Sequence, residues 1–322
     1  MKKLSVVILN YNSLDMIKDC LKSFEKYRPC IDYEIIIANN DDNIQDFDTF
    51  AENYPDIKFI QNTGNWGFSS GCNLGASIAE GEYLLFLNPD TELNKTRAID
   101  KIVALLEVDQ SIGICGCKII DSNGDENFLS WNNPWLFIKW IKVLHDLIYK
   151  GEMLKRFSTS KNIWHPDIIS GAALAIGKDD FNKLDGWDDD KYWMYSEDRD
   201  LCSKMSKTLN KKLAQLRDCS IYHVWGGTSD KDSSLMLNIE MTISRHNYIY
   251  HHSHGIQRAI LLTFYIIKNL TTPIAKLVLN ILLFKQKNIA KYKYIAAETI
   301  RYYLKSIKRR TWKSDKLEYE KR

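Results

Sequence analysis

The chain has 322 residues, of which 45% are hydrophobic and 26% are charged, and its formal net charge is +3. This length allows one large α/β domain or two smaller ones, and the composition excludes a disordered chain, a collagen and a transporter built from long uncharged spans. The first apolar run is too short for a cleaved signal peptide, so we expect a cytoplasmic protein.

Strand-like and helix-like patterns alternate over roughly the first two hundred residues. Short apolar, β-branched runs predict strands at 4–10, 33–40, 57–62, 82–90 and 112–120. Apolar residues at three- and four-residue spacing predict helices from Leu14 to Phe24, from Leu74 to Ile78 and from Ile99 to Leu106. Strands separated by helices indicate a mostly parallel sheet with helices on both faces.

Polar segments follow the first four predicted strands. They are Asn10 to Asn12, Asn39 to Asp42, Asn62 to Gly71, and Asn88 to Asp90. Ligands of open α/β sheets bind outside the carboxyl ends of the strands. The sequence therefore predicts a ligand site along this edge.

Residues 128–166 interrupt the alternation with an aromatic-rich segment that contains Trp131, Trp135 and Trp140. Such a segment is typical of a helix at a membrane interface or over an acceptor cleft. A buried connecting helix would have the same pattern, and the sequence leaves both interpretations open.

Three sets of titratable residues are candidates for chemistry. Asp90 ends a strand, where a carboxylate suits a Mg²⁺ or Mn²⁺ ion that a substrate diphosphate also binds, although a turn after Pro89 explains it equally well. Glu197 and Asp198 follow an aromatic run, which favours a raised pKa and a general base, or simply acids in the first turn of a helix. His223 follows a short strand and suits either a ligand or a core histidine.

The C-terminal end is basic, whereas the rest of the chain is acidic on balance. Residues 285–322 contain thirteen Lys and Arg but four Asp and Glu, which argues against nucleic-acid binding over the whole body. The preceding apolar run, 258–285, is interrupted by Lys268, Pro273 and Lys276. This pattern predicts two short helices lying in a membrane interface, or alternatively a helical hairpin packed on the body.

The sequence lacks the phosphate-binding loops of two nucleotide-binding classes. No GxGxxG follows the first strand, as a dinucleotide-binding oxidoreductase would require, and the GxxxxGK[ST] loop of P-loop NTPases is absent. Four ordered segments resemble another group, the inverting glycosyltransferases of the GT-A fold, family 2, and within it the rhamnosyltransferase-like branch of bacterial surface-polysaccharide synthesis. The segments are SVVILNYNS (5–13), GNWGFSSGCNLGASIAEGEYLLFLNPDTEL (64–93), residues 170–202 including GWDDDKYWMYSEDRDLC, and IYHVWGG (221–227).

The resemblance implies a GT-A catalytic domain over residues 1–230, with a Rossmann-like, mostly parallel central sheet flanked by helices. A connecting helix is expected at 231–257. Residues 258–322 are expected to form amphipathic and basic membrane-associated helices.

The resemblance also implies roles for individual residues. Asp198 matches the catalytic base, Asn88-Pro89-Asp90 matches the metal-binding DxD motif, and His223 matches a further ligand of a divalent Mn²⁺ or Mg²⁺ ion. The glycine-rich loop from Gly64 to Gly75 would allow close approach to the donor, or would only connect strand and helix tightly. The donor-binding candidates are Tyr11, Asn12, Asn39, Asp41, Asn65, Gly67, Asn73 and Asn88. The candidates for the acceptor and sugar pocket are Gly171, Trp187 and Glu197.

Two positions depart from the family pattern. Asn39 stands where the family has an aspartate that holds the base, with Asp41 and Asp42 nearby. The DxD motif retains one carboxylate, Asp90, which makes His223 more important. These departures leave the nucleotide base open.

The implied function is inverting transfer of rhamnose or a similar hexose from a dTDP- or UDP-linked donor to a polyprenyl-diphosphate-linked glycan. The expected location is peripheral, on the anionic cytoplasmic face of a bacterial plasma membrane, and no nucleic-acid partner is expected. The main alternative is a catalytically inactive, membrane-bound scaffold that binds sugar nucleotides, against which the Glu197-Asp198 pair argues. A nucleotidyltransferase would need a basic glycine-rich loop after the first strand, and a glycosidase would cleave glycosides without nucleotide.

Overall fold

The computed structural model describes residues 2–121, 123–126, 157–158, 162–224 and 231–317. The chain divides into two units, the first comprising Met1–Asp188 with Glu197–Thr228 and the second comprising Asp189–Ser196 with Ser229–Arg322. The aromatic segment around Trp131, Trp135 and Trp140 lies outside the described residues.

Four parallel strands form one half of the sheet in the first unit. They are β1 (Leu4–Asn10), β2 (Tyr33–Asn39), β3 (Lys58–Gln61) and β4 (Tyr83–Leu87), in the spatial order β3-β2-β1-β4. These elements confirm the predicted strands of this region. Asn10 pairs with Asn39, and Asn39 pairs with Gln61, so the polar strand ends lie in one row.

The other half of the sheet is mixed, which corrects the expectation of a mostly parallel sheet. Strand β9 (Ala173–Gly177) runs antiparallel between β4 and β6 (Ile112–Ile120), whereas β10 (Lys212–His223) runs parallel to β6. The short strands β5 (Thr91–Glu92), β7 (Phe157–Ser158) and β8 (Ile163–Trp164) extend this half by antiparallel pairing. A short apolar run carries no information about strand direction, so the sequence pattern did not distinguish these cases.

Helices cover both faces of the sheet. They are α1 (Leu14–Lys26), α2 (Ile44–Glu52), α3 (Gly67–Ser77), α4 (Ala98–Val108), α5 (Lys178–Lys183) and α6 (Glu197–Thr208). Within β1, Val6 belongs to the core that contains α1 and α4, whereas Val7 belongs to the core that contains α3 and α6. Because both faces of the strand are buried, residues 6–9 are all apolar rather than alternating with polar residues.

Two glycines of the glycine-rich segment bring α3 close to β1. A Cβ atom at Gly71 would lie 2.2 Å from Leu9 Cδ1, and one at Gly75 would lie 2.5 Å from Val7 Cγ1. These contacts support the tight strand–helix connection for Gly71 and Gly75, because both glycines face the sheet.

The described residues of the second unit form three α-helices, α7 (Lys231–His252), α8 (Gly255–Leu282) and α9 (Gln286–Arg309), and a 3-10 turn at Asp315–Leu317. The prediction of two short helices in 258–285 is wrong, because α8 continues through Pro273, which is buried. Neighbouring helices can hold a helix together across the hydrogen bond that a proline removes. The core of this unit is formed by Ile243, Tyr302 and Tyr303, against which Ile239, Ile266, Leu270 and Trp312 pack. Among the described residues, no helix is both long and apolar enough to cross a membrane.

Candidate active site

A ladder of carboxamides joins the ends of the first three strands. The Asn10 Nδ2 donates to Asn39 Oδ1 at 2.6 Å, and the Asn39 Nδ2 donates to Gln61 Oε1 at 2.7 Å. Asn39 is fully buried. An aspartate in its place would have no proton to donate to Gln61. The Asn39 side chain therefore aligns the strand ends, and its contact with a donor stays a prediction.

The loops after β1 and β2 are joined through Asp41. Its Oδ2 accepts a hydrogen bond from the Asn12 backbone N at 3.1 Å, and its Oδ1 accepts one from the Asn43 backbone N at 3.0 Å. Asn12 has a φ of 52°, a left-handed conformation in which asparagine is enriched. The Tyr11 side chain, next to Asn12, is 45% exposed at this edge of the sheet. An exposed aromatic ring here is suited to stacking against a flat ligand.

The loop after β3 is tied to the loop after β2 by Asn40. The Asn62 Nδ2 donates to Asn40 Oδ1 at 2.9 Å, and the Asn40 Nδ2 donates to the Gly67 carbonyl at 2.8 Å. Asn65 accepts a hydrogen bond from the Gly67 backbone N at 3.2 Å. Gly67 is the first residue of α3 and has a φ of 88°. The partial positive charge of a helix N-terminus suits a diphosphate, as the donor prediction requires.

Asn73 and Trp187 hold each other in place. The Asn73 Nδ2 donates to the Trp187 carbonyl at 2.8 Å, and the Trp187 backbone N donates to Asn73 Oδ1 at 3.0 Å. The Trp187 ring is 1% exposed and makes edge contacts with Phe68 and Phe86, with ring centroids 5.5 and 5.0 Å apart. The structure therefore brings Asn73 and Trp187 together, and their contact with a substrate stays a prediction.

Asp90 and His223 lie side by side, although 133 residues separate them in the chain. The short strand β5 pairs with the end of β10, with Thr91 opposite His223. This pairing brings His223 Nε2 to 3.1 Å from Asp90 Oδ1 and to 3.2 Å from Asn88 Nδ2. The His223 residue is 6% exposed. A buried imidazole and a carboxylate thus converge at the end of β4.

The Asp90–His223 pair fits part of a metal site. Carboxylate oxygen suits Mg²⁺ and Mn²⁺, and the imidazole suits the softer Mn²⁺. In the described ranges, no group of three or more His, Cys, Asp or Glu is arranged to hold a metal ion. Two protein ligands are therefore consistent with an ion whose other positions are filled by a substrate diphosphate and water.

Asp198 is the second residue of α6, a helix that begins directly after two residues with left-handed backbone conformations. Tyr195 and Ser196 have φ values of 71° and 68°, and non-glycine residues in this conformation often mark functional sites. The Asp198 carboxylate accepts hydrogen bonds from the backbone N–H groups of Arg199, at 2.8 Å, and of Gly171. Burial raises the pKa of Asp198 because it outweighs the Arg199 charge and these hydrogen bonds, which act in the opposite direction.

Glu197, the neighbour of Asp198, is 7% exposed. Within the described part of the chain, its Oε2 has no hydrogen-bond partner. Burial, followed by the negative charge of Asp198, raises the pKa of Glu197 well above its ordinary value. Of the two adjacent carboxyls, we therefore expect Glu197 to keep its proton and Asp198 to be the one that ionises.

The segment before β9 connects the two carboxylate sites. The Asn88 backbone N donates to the Ala172 carbonyl at 3.0 Å, while Gly171 contacts Asp198 on the other side. A Cβ atom at Gly171 would lie 3.4 Å from Phe68 Cζ and 3.8 Å from Asp198 Cβ. The structure thus brings Asn88, Gly171 and Asp198 together around one turn of the chain.

Four residues of this site were not among the candidates named from the sequence, although Asn10 and Asn40 belong to the predicted polar strand ends. Asn10, Asn40 and Gln61 complete the amide network, and Phe68 lies between Gly171 and Trp187. The position of Asn10 and Asn40 at strand ends was a usable signal. For Phe68 the sequence offered none, because its contacts come from distant segments.

Solved structures of two glycosyltransferases resemble the chain. GalNAc-T7, solved with UDP, GalNAc and Mn²⁺, has a TM-score of 0.55 and 14% identity, with 82% of this chain and 54% of that chain covered. The mannosyltransferase PcManGT of Pyrobaculum calidifontis, solved with GDP-Man and Mn²⁺, has a TM-score of 0.52 and 15% identity, with 93% and 75% covered. At these identities the likeness shows the fold alone, a GT-A-like α/β fold with a mixed central sheet.

Curated relatives carry related names. The chain is 36% identical over 163 residues to the poly(ribitol-phosphate) beta-glucosyltransferase of Bacillus spizizenii, which covers 48% of this chain and 26% of the relative. It is 23% identical over 224 residues to the rhamnosyltransferase WbbL of Escherichia coli, and this match covers 62% of this chain and 76% of WbbL. The chain spans less than half the length of three of the curated relatives that it matches, including the Bacillus enzyme.

The family model described as "Glycosyl transferase family 2" matches residues 5–166. The match covers β1 to β4, the amide ladder and Asp90, while Asp198 and His223 lie beyond its end. Since it spans half of the sequence, the chain belongs to glycosyl transferase family 2.

Proposed function

We propose that the protein is an inverting glycosyltransferase of surface-polysaccharide assembly. It moves a sugar from a nucleoside-diphosphate donor to a lipid-linked oligosaccharide. The observation that carries this proposal is the arrangement around residues 171–172. One side of this turn contacts Asn88, next to the Asp90–His223 pair, and the other side contacts Asp198, a half-buried carboxyl with a raised pKa.

The proposed chemistry is a single displacement at C1 of the donor sugar. Asp198 accepts the proton of an acceptor hydroxyl, and the hydroxyl oxygen forms a bond to C1 on the face opposite the diphosphate. The bond from C1 to the diphosphate oxygen breaks, and its electron pair leaves with the nucleoside diphosphate. One displacement without an enzyme nucleophile inverts the configuration at C1. A raised pKa makes Asp198 a stronger base than an ordinary aspartate.

Asp90 and His223 are the residues that would hold a divalent ion in the proposed enzyme, with Mn²⁺ or Mg²⁺ as the candidates. An ion there would neutralise the negative charge that develops on the leaving diphosphate. The presence of Mn²⁺ in both similar solved structures supports this assignment. The Asn88 Nδ2 lies 3.2 Å from His223 Nε2, the ring nitrogen that also lies 3.1 Å from Asp90 Oδ1.

The proposed donor is a dTDP- or UDP-linked hexose, with rhamnose favoured by the similarity to WbbL. The exposed ring of Tyr11 would stack on the base, and the loop that Asp41 fastens to Asn12 would lie beside it. The N-terminus of α3 at Gly67, which Asn40 and Asn65 hold, would face the diphosphate.

The proposed acceptor is a polyprenyl-diphosphate-linked glycan, and the proposed location is the cytoplasmic face of a bacterial plasma membrane. A peripheral protein there would meet the acceptor at the lipid surface. The basic C-terminal end supports this location, because anionic lipids attract clustered Lys and Arg.

Calorimetric titration with dTDP and with UDP, each with and without Mn²⁺, tests the proposal. We expect one nucleotide to bind only when the metal is present. Asp90→Asn should abolish this metal-dependent binding, because it removes the carboxylate that would hold the metal. The matched control is Asp179→Asn, an exposed aspartate of α5. Failure of both nucleotides to bind folded protein would contradict a donor site here.

An inactive scaffold is the second candidate, and Asn88 in place of the first DxD carboxylate favours it. A scaffold would bind the nucleotide yet release no nucleoside diphosphate from its sugar-linked form when an acceptor glycan is added. Release that depends on the acceptor would exclude the scaffold.

A further inference from the structure

Helix α8 carries a continuous row of exposed apolar side chains. Their relative exposure lies between 45% and 80%, which is unusual for large aliphatic residues in water. The row, here called the α8 stripe, consists of Ile256, Ile260, Ile267, Ile274, Val278 and Leu282. At a rise of about 1.5 Å per residue, it extends over roughly 39 Å of helix.

The opposite face of α8 is occupied by the second unit itself. Tyr265, Pro273 and Asn280 are buried, and Ile266 and Leu270 pack against the core around Tyr302 and Tyr303. The helix therefore cannot turn the stripe inward without losing this packing. One face of α8 stabilises the unit, and the other is presented outward along the whole helix.

The charges around the stripe have one sign. Residues 255–297 contain seven Lys and Arg and no Asp or Glu. The stripe ends at an exposed apolar turn, where Leu283 is 51% and Phe284 is 88% exposed, directly before Lys285. A second copy of this face would bring like charges together, whereas an anionic surface would be attracted to it.

We propose that the α8 stripe is a membrane-docking face, which lies lengthwise in the headgroup region of an anionic lipid bilayer. The apolar side chains enter the boundary of the acyl chains, and the exposed Lys285 at the end of the stripe reaches the lipid phosphates, whereas Lys268 and Lys276 lie over the rings of Tyr265 and Tyr292. This inference deepens the proposed membrane location, on which it rests, and it does not depend on the donor chemistry.

Apolar contact, rather than the basic C-terminal end, dominates this docking. Lys305 and Arg309 both pair with Asp315, at 2.5 and 2.6 Å, and Arg301 pairs with Glu298. These pairs neutralise part of the basic charge of α9. Binding that is mainly apolar is expected to survive high salt, which screens exposed charges.

The experiment measures co-sedimentation of the full chain with vesicles of phosphatidylcholine, alone or mixed with phosphatidylglycerol. We expect binding to the anionic vesicles, and a fall of less than about tenfold in high salt. The triple variant Ile260→Gln, Ile267→Gln and Val278→Gln should weaken binding on the order of a hundredfold, because three inserted side chains lose their apolar contact. Val108→Gln, at an 86% exposed apolar position of α4, should leave binding unchanged.

Three outcomes would overturn the docking face: a wild-type chain that does not bind anionic vesicles, a triple variant that binds them equally well, or a stripe-dependent self-association in ultracentrifugation. The last result would assign the stripe to a second copy of the chain. Titration of the triple variant with dTDP and UDP separates the two proposals. If neither the wild type nor the triple variant binds a nucleotide while the wild type still binds vesicles, the donor site is refuted and the docking face is not.

Discussion

Replacement of Asp198 by asparagine tests the proposed proton acceptor with the least change in shape. The asparagine side chain keeps an oxygen that can accept from the backbone N–H of Arg199 and of Gly171. It cannot take a proton from an acceptor hydroxyl. A positioned general base contributes about 10²- to 10⁴-fold, so we expect kcat to fall by that factor. This loss corresponds to about 2.7–5.4 kcal/mol of activation free energy.

The pH profile gives the same variant a second signature. Burial raises the pKa of Asp198, and the base works only when ionised. The wild-type rate should therefore fall with acidification at a higher pH than an ordinary aspartate would require. Since Asp198→Asn has no such group, its residual rate should lack this acidic limb.

The assay is release of nucleoside diphosphate in the presence of an acceptor glycan, alongside titration of nucleotide affinity. Asp179→Asn, the exposed aspartate of α5, serves as the control for a lost surface charge. Turnover by Asp198→Asn within a few fold of wild type would place the base elsewhere. A parallel loss of nucleotide affinity would mean that Asp198 shapes the donor site rather than accepting the proton.

Two further predictions concern stability. The raised pKa of Glu197 means that the folded state holds this proton more tightly than the unfolded state does, so the wild type loses stability as the pH rises above about 4.5, the ordinary pKa of a glutamate. Glu197→Gln has no group that titrates there, so its Tm should rise relative to that of the wild type between acidic and neutral pH. A difference in Tm that does not change with pH would contradict the raised pKa. Gly75→Ala should lower the free energy of unfolding by about 1–3 kcal/mol in denaturant titrations. Its Cβ would lie 2.5 Å from Cγ1 of the buried Val7, whose β-branched side chain has little freedom to move. Gly64→Ala, with its nearest atom at 3.6 Å, should change the free energy of unfolding much less.

Much of the first unit follows from local patterns. The five predicted strands of the first 120 residues are present as β1 to β4 and β6, and the three predicted helices as α1, α3 and α4. These elements are buried on one or both faces, so their apolar spacing is visible in the sequence. The polar ends of β1, β2 and β3 lie in one row because parallel strands end at the same edge of the sheet.

Other features depend on contacts between distant segments. Asn39, a predicted donor ligand, is fully buried in an amide ladder with Asn10 and Gln61, which its position in the sequence did not indicate. Pro273 predicts a break, yet the packed face of α8 continues through it. In each case, neighbours that no local pattern identifies determine the outcome.

The alternating elements and the polar strand ends can be recognised in the sequence, because burial and turn chemistry act over a few residues. The antiparallel direction of β9, the approach of His223 to Asp90 and the contact of Gly171 with Asp198 appear only in the folded chain. These contacts depend on how β5 and β9 pair with distant strands. Strand direction and pairing are set by the packing of the whole sheet, which a local pattern of apolar residues does not specify.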